Sequence, residues 1–444
     1  MAKVRSVFMC QQCGHGSPMW IGRCPQCGEW NSLVEEVARP AGKAPRATSR
    51  ARPITEVGRE EGGEVRLRIG ITELDRVLGG GLVTGSLTLV GGDPGVGKST
   101  LLLTTADAFA KRGIRVLYVS AEESARQVRL RAERLGVLSE SLYLLAETSF
   151  EAVIAAVEDV KPKILVLDSV QTLHNSELAS LPGSIGQVKE VGHQAMRLAK
   201  GRDIATFLVG HVTKDGTLAG PRTLEHVVDT VLYVEGDGAT TLRVVRATKN
   251  RFGSTGEIGL FEMREEGLVE VPDASARLLR ERLPDAPGTV VTCAMVGSRP
   301  VLVEVQALVG RPTQGNPART VLGFERGRLQ MLLAVLAREG LDLADRDVFV
   351  SVAGGLSVEE PAADLAVAMA IVSSARVEPL PADLLIFGEV GLVGEVRGVG
   401  MPQARLREAE RHGLRRAWVP PGAVEEGGRM RTEGIRRLGD LVRG

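Results

Sequence analysis

An α/β chain built from several domains is the fold class this sequence predicts, and three observations carry it. A glycine-rich loop at 92–99 lies between an apolar run and a helical pattern. Apolar runs and helical stretches alternate from about residue 65 to 270, as in a mostly parallel sheet with helices on both faces. Four of the five cysteines stand within the first 27 residues as two C-x2-C pairs. At 444 residues, length suggests about three domains. Apolar residues make up 43% and aromatics 3%, so the cores must be built from Val, Leu, Ala and Ile. Lys and Arg total 55, as do Asp and Glu, so the net charge is zero. That excludes a uniformly basic coat, and any nucleic-acid surface must be local. No apolar run approaches the roughly 18 residues that span a bilayer, and the N-terminus lacks the apolar stretch of a signal peptide. A cytoplasmic protein with no membrane partner is expected.

The cysteine pairs come first. Cys10 and Cys13, then Cys24 and Cys27, are separated by ten residues, and each pair is followed by a glycine, Gly14 or Gly28. Each C-x2-C turn presents two thiolates to one ion, and the glycine relieves the tight backbone that follows. Four thiolates leave no open position, so a structural Zn²⁺ is expected at 1–37; a redox dithiol pair and an iron–sulfur site are the rivals. Trp20 and Trp30 flank the second knuckle and either pack a very small core or stack on bases. Residues 38–54 carry Arg39, Lys43, Arg46, Arg50 and Arg52 with no acid. This reads as an extended basic linker, either holding a phosphate backbone or merely solvated. Cys293 stands alone in a strand-like run and reads as a buried structural thiol.

The span 55–275 reads as the nucleotide-binding domain. The loop fits G-x-x-x-x-G-K-[ST] at every fixed position, with a strand at 87–90 before it and a helix opening at Thr100. Gly92, Asp93, Pro94, Gly95, Val96, Gly97, Lys98, Ser99 and Thr100 are therefore expected to hold the phosphates of ATP. Lys98 neutralises β/γ charge and Ser99 ligates Mg²⁺ in such a loop. A second apolar run, 163–169, contains Asp168 at its carboxyl end, the Walker B arrangement for the Mg²⁺ hydration shell. Glu122 and Glu123 follow the strand at 115–120; Glu122 is expected to orient the attacking water, while Glu123 assists it or favours a helix N-terminus. His211 ends a third strand, either as a γ-phosphate sensor or as a satisfied strand-end histidine.

The run at 70–82 resembles the entry to RecA-type ATPases. Taken with the cysteine ribbon, essentially the whole chain is similar to the RadA (Sms) family of bacterial DNA-repair proteins. Lys249-Asn250-Arg251-Phe252-Gly253 matches that family's KNRFG box. The resemblance implies that Lys249 and Arg251, following a strand at 242–246, reach a neighbour's ATP; an ordinary basic turn is the alternative. A contact in trans is head-to-tail and can close as a ring, by resemblance a hexamer. Loops at 173–187 and 214–222 are then expected to line the channel, with Lys214 and Arg222 on DNA phosphates or simply solvated. The family implies ATP, Mg²⁺ and Zn²⁺, single-stranded and branched DNA, a RecA recombinase partner, and translocation that drives branch migration in homologous recombination.

The pattern changes at about 285. Strands at 301–307 and 348–352, an amphipathic helix at 324–338 with Leu329, Leu332, Leu333 and Leu336 on one face, and a buried helix at 362–374 give an α+β domain over 285–444. It resembles the proteolytic domain of Lon, with 388–396 matching a later strand pair. Alignment puts Ala362 at the nucleophile's place and Arg405 at the lysine's. Alanine has no nucleophilic atom and a guanidinium stays protonated, so no peptidase activity is expected. Arg311, Arg319, Arg326 and Arg328 are either contacts for DNA or solvated charges. The rival functions are a KaiC-like regulatory ATPase acting on protein partners and an ATP-dependent protease.

Overall fold

A computed structural model describes residues 5–38, 66–210, 224–236, 241–312, 317–355, 358, 360–424 and 429–443. Residues 39–54 of the expected linker, and His211, Lys214 and Arg222, lie outside the described residues. Internal contacts divide the chain into two compact units, Met1–Glu270 and Val271–Gly444. The division precedes the expected end of the ATPase domain by five residues (275 − 270).

The first unit begins with a small antiparallel sheet of β1 (Arg5–Cys10), β2 (Gly16–Ser17) and β3 (Leu33–Ala38), in the order β2-β1-β3. A short pair, β4 (Arg66–Leu67) and β5 (Leu82–Val83), brackets helix α1 (Thr72–Val77). Alternation then sets in: β6 (Leu87–Gly92), α2 (Lys98–Ala110), β7 (Val116–Ser120), α3 (Ala125–Leu135), β8 (Leu142–Ala146), α4 (Phe150–Val160), β9 (Ile164–Asp168), α5 (Ile185–Arg202) and β10 (Ala205–Val209). Four strands complete it: β11 (Thr230–Glu235), β12 (Leu242–Asn250), β13 (Ile258–Arg264) and β14 (Gly267–Glu270). Among the described residues they form one nine-stranded sheet, β14-β13-β12-β11-β6-β10-β9-β7-β8. The run from β11 to β8 is parallel, and β12 to β14 are antiparallel additions.

Period-2 alternation buries both faces. Val90, Tyr118 and Val166 join a cluster with Leu101, Leu102 and Phe109 of α2. Leu89, Leu117 and Leu165 point the other way, into a cluster with Phe150 of α4 and Val188 of α5. Helix ends follow local chemistry. Ser124 and Gln127 form a reciprocal capping box at α3, and Gly136 closes it in the left-handed region at φ 66°. Ser149 and Ser184 cap α4 and α5. Helix α2 differs: its N-cap is Gly97, with no side chain bonded to the first turn.

The second unit contains α6 (Ala274–Leu279), β15 (Thr289–Val296), β16 (Arg299–Gly310), β17 (Arg319–Leu322), α7 (Arg326–Arg338), β18 (Asp347–Val352), α8 (Asp364–Arg376) and β19 (Leu384–Ile386). It ends with β20 (Glu389–Val390), β21 (Val396–Arg397), α9 (Pro402–Arg411), β22 (Arg416–Val419), β23 (Arg431–Gly434) and α10 (Leu438–Arg443). Seven of these strands make a mixed sheet, β17-β18-β16-β15-β19-β22-β23. Helix α8 is buried from Asp364 through Ser373. Helix α7 buries Leu329, Leu332, Val335 and Leu336; Leu333, expected on that face, is only half-buried.

Two arginines considered for DNA are tied into this unit. Arg328 donates from Nε to Asp364 Oδ1 at 2.9 Å, and Arg319 donates to the carbonyls of Ala318 and Leu343 at 2.9 and 2.7 Å. Arg405 is 1% exposed. Its guanidinium grips both oxygens of Glu360 at 2.8 and 2.6 Å, donates to the carbonyls of Gly400 and Cys293, and lies 5.8 Å from the Phe387 ring centroid. Cys293 is buried beside it, and burial pushes its thiol up to about 12, which makes it inert. Replacing Glu360 with alanine strands a buried cation. Glu360→Ala should therefore destabilise this unit by about 3 kcal/mol, read as a lowered urea midpoint of the full-length chain; an unaltered midpoint refutes the assignment.

Candidate functional site

Strand β6 ends where the glycine-rich loop begins. A Cβ on Gly92 would lie 2.4 Å from the Val234 carbonyl oxygen, and one on Gly97 2.7 Å from Met263 Cε; both have positive φ, 146° and 110°. Only glycine fits either place. Asp93, Pro94 and Gly95 are exposed at the crown, while Ser99 and Thr100 occupy the half-buried first turn of α2. The helix starts at Lys98, two residues before its expected opening at Thr100, so Lys98 and Ser99 belong to its first turn. With no side chain capping that turn, its N–H groups are available to an anion.

Lys98 is 4% exposed and folds back on the loop, Nζ donating to the carbonyls of Gly92 and Asp93 at 2.8 and 2.9 Å. Burial holds its ammonium below the usual lysine value, opposed by the charges of Asp168, Glu122 and Asp93. Three acids from separate segments thus act on one buried cation. Asp168 ends β9 level with Ser120 of β7. Its Oδ2 accepts from the Tyr118 hydroxyl at 2.6 Å. Glu122, in the turn after β7, accepts from the Ser169 hydroxyl. Glu123 is drawn elsewhere: it pairs with Arg131 of α3 at 2.5 Å, and Ser124, not Glu123, caps that helix. The donor set fits a magnesium–triphosphate group: loop N–H groups, one lysine, a first-turn hydroxyl and a buried carboxylate.

Lys249 and Arg251 need a correction. Strand β12 runs to Asn250, so Lys249 lies inside it opposite Val231, and only Arg251 follows it. The pairing with β11 shifts register just beyond Val231, and the ladder continues past the expected end at 246. Lys249 Nζ donates to the carbonyls of Val228, at 2.8 Å, and Glu225. Arg251 reaches Asp229 Oδ1 at 3.0 Å, and Asp229 Oδ2 accepts the N–H of Leu87 at 3.1 Å. Arg251 therefore sits level with the first residue of β6, and the loop leaves the last. Five residue steps separate those ends, about 16 Å at strand rise. Asn250 shapes the turn, accepting from the Phe252 N–H at 2.9 Å. Sequence reasoning did not single out Tyr118, Ser169, Asp229 or Asn250; the first lies in an apolar run whose alternation marks it only as core.

At the N-terminus the four sulfurs of Cys10, Cys13, Cys24 and Cys27 lie within 4.8 Å of one another. Cys10 and Cys27 sulfurs are 3.6 Å apart, and Cys13 and Cys24 sulfurs 3.5 Å. Zinc thiolates at about 2.3 Å in a tetrahedron require sulfurs about 3.8 Å apart, so the residues fit the ion. Gly14 and Gly28 turn the knuckles at φ 73° and 76°. The tryptophans do not form the small core. Trp20 is 53% and Trp30 66% exposed. Cys10, Cys24 and Leu33 form that core, with Phe8, Cys13 and Ile21 against it. Both indole rings instead lie beside Gly22, and Arg23 sits 5.8 Å from the Trp30 ring centroid. A second cluster, Asp273, Glu408 and His412, is an ion network, with Arg411 2.8 Å from Asp273. Among the described residues no helix is long and apolar enough to cross a membrane.

Known proteins match on both sides of the linker. The family model described as AAA domain matches residues 66–217, and one described as rubredoxin metal binding domain matches 8–35. The chain is 47% identical to the DNA repair protein RadA of Bacillus subtilis over 449 aligned residues, covering 99% of this chain and 97% of that one. It is 50% identical to the DNA repair protein RadA of Pseudomonas aeruginosa, covering 95% and 94%. A KaiC-like protein of Pyrococcus horikoshii, 21% identical, superposes with a TM-score of 0.40 over 47% of this chain and all of that one, a likeness too slight to bear on function. The loop, its converging acids and the four-cysteine ribbon stand in one chain with relatives that match it nearly end to end; the chain belongs to the RadA family of DNA repair proteins.

Proposed function

We propose that this RecA-like ATPase works as a head-to-tail ring, by family resemblance a hexamer, that moves on single-stranded DNA and extends branched joints during homologous recombination. One observation carries the reading. Arg251 stands level with the start of β6, at the sheet edge opposite the loop, and Lys249, level with Leu89, spends its ammonium on the carbonyls of Glu225 and Val228 rather than on the loop of its own chain, so a phosphate role for the pair calls for a neighbouring subunit. A cation from the neighbour stabilises charge on the transferring phosphoryl, and the heterologous contact closes into a ring.

Within one subunit, loop N–H groups and the α2 dipole bind the triphosphate, and Lys98 leaves its two carbonyl partners for the β/γ oxygens. Ser99 and Asp168 would hold Mg²⁺, which supplies charge neutralisation when bound. Glu122, steadied by Ser169, orients the attacking water. Lys214 and Arg222 are the proposed DNA contacts, a RecA recombinase the proposed partner and the cytoplasm the proposed location. The second unit acts as a Lon-like scaffold without peptidase chemistry, since Ala362 offers no nucleophile and Arg405 is committed to Glu360.

Lys98→Ala should lower ATP turnover by a factor on the order of 10² to 10³ with an unchanged circular-dichroism spectrum, and single-stranded DNA should stimulate turnover of the parent; a parent indifferent to DNA favours the regulatory-ATPase rival. Lys249→Ala should bind ATP normally and hydrolyse it about 10³-fold more slowly. Mixing Lys98→Ala with Lys249→Ala subunits should restore part of the activity, because some seams then carry an intact loop facing an intact lysine. A mixture as inactive as its components would rule out catalysis in trans. Cys24→Ser should lose zinc from a ratio of one per chain, measured by atomic absorption, with the nucleotide domain still folded.

A further inference from the structure

Tyr118 is 1% exposed, on the face of the sheet where β7 packs against Leu101, Leu102 and Phe109. Apolar packing there needs only a ring. A buried phenol oxygen needs a partner as well, and here the partner is the carboxylate at the nucleotide site. Tyr118 lies two residues before Ser120, which stands opposite Asp168. Two strand steps rise about 6.6 Å, the distance a tyrosine side chain spans when it lies along its strand. The hydroxyl donates to Asp168 Oδ2 at 2.6 Å, between groups that are both buried. Hydrogen bonds to a charged acceptor are short and strong.

We infer that Tyr118 is a positioning residue for the cation end of the nucleotide site: its hydroxyl holds Asp168 Oδ2 and so presents the other oxygen to the hydration shell of Mg²⁺. The inference rests on reading Asp168 as the Mg²⁺ carboxylate. The partner works from outside the ligand shell, as second-shell donors do at other metal sites, where losing one costs about 10- to 100-fold in metal affinity. Phenylalanine keeps the ring and its packing and removes only the donor.

The test is equilibrium binding of a fluorescent, non-hydrolysable ATP analogue to the full-length chain, titrated with Mg²⁺. In Tyr118→Phe the Mg²⁺ concentration for half-maximal enhancement should rise about tenfold. Affinity without Mg²⁺ and the thermal midpoint should match the parent, and turnover at saturating Mg²⁺ should recover most of its loss. An unchanged Mg²⁺ midpoint overturns the inference. So does an equal loss of binding with and without Mg²⁺, which marks a packing role alone. Asp168→Ala separates the two failures. If it abolishes the Mg²⁺ effect while Tyr118→Phe behaves as the parent, only the tyrosine inference falls; if it leaves the effect intact, the reading of the nucleotide site falls with it.

Discussion

Strand direction is the constraint on which the rest of this structure depends. The central strands of the sheet run parallel, so each delivers its carboxyl end to one edge and its amino end to the other. Ligands gather at the carboxyl edge of such sheets because loops and helix N-termini converge there. The glycine-rich loop leaves β6 at that edge, Glu122 follows β7, and Asp168 closes β9. Antiparallel β12 returns to the opposite edge and sets Arg251 beside the start of β6. A single chain therefore presents a triphosphate pocket on one side and a cationic turn on the other.

Burial gives the pocket its electrostatic character. Lys98 is almost wholly removed from water, and its ammonium is tolerated because two carbonyls accept from it and three carboxylates face it. Charges at such depth interact more strongly than they do in solvent. The same dryness makes each neighbouring hydroxyl matter. Tyr118 and Ser169 have few acceptors to choose from, and each is committed to one acid. Fixed donors of this kind keep carboxylates in place before substrate arrives, which is what preorganisation requires.

The second unit shows the complementary case, a cluster of polar groups turned inward upon itself. Arg405 is almost wholly buried, and its guanidinium is held by Glu360, by two carbonyls and by the Phe387 face. A planar, permanently charged group suits a bidentate structural pair and is unsuited to proton transfer. Arg405 and Glu360 thus tie strands and loops of this unit together.

Much of this was legible in the amino-acid order. The loop at 92–99 is a local signal, since its glycines, lysine and serine act through a contiguous backbone turn. The cysteine spacing is local too, and the knuckle glycines declare their positive φ. The buried strands of the core announced themselves by apolar runs, one of which, β9, closes on an acid, Asp168. Other features were decided only by tertiary structure, because they depend on which strands become neighbours. Nothing in the chain's order says that β7 lies beside β9 and so brings the Tyr118 hydroxyl to Asp168. Nor does it say that β12 continues to Asn250, which requires β11 as a partner. The tryptophans of the ribbon were ambiguous for the same reason: burial depends on surroundings, and Cys10, Cys24 and Leu33, with Phe8, Cys13 and Ile21 against them, already fill that small interior. Contiguous chemistry can be read along a chain, whereas contacts between distant residues exist only once the sheet order is set.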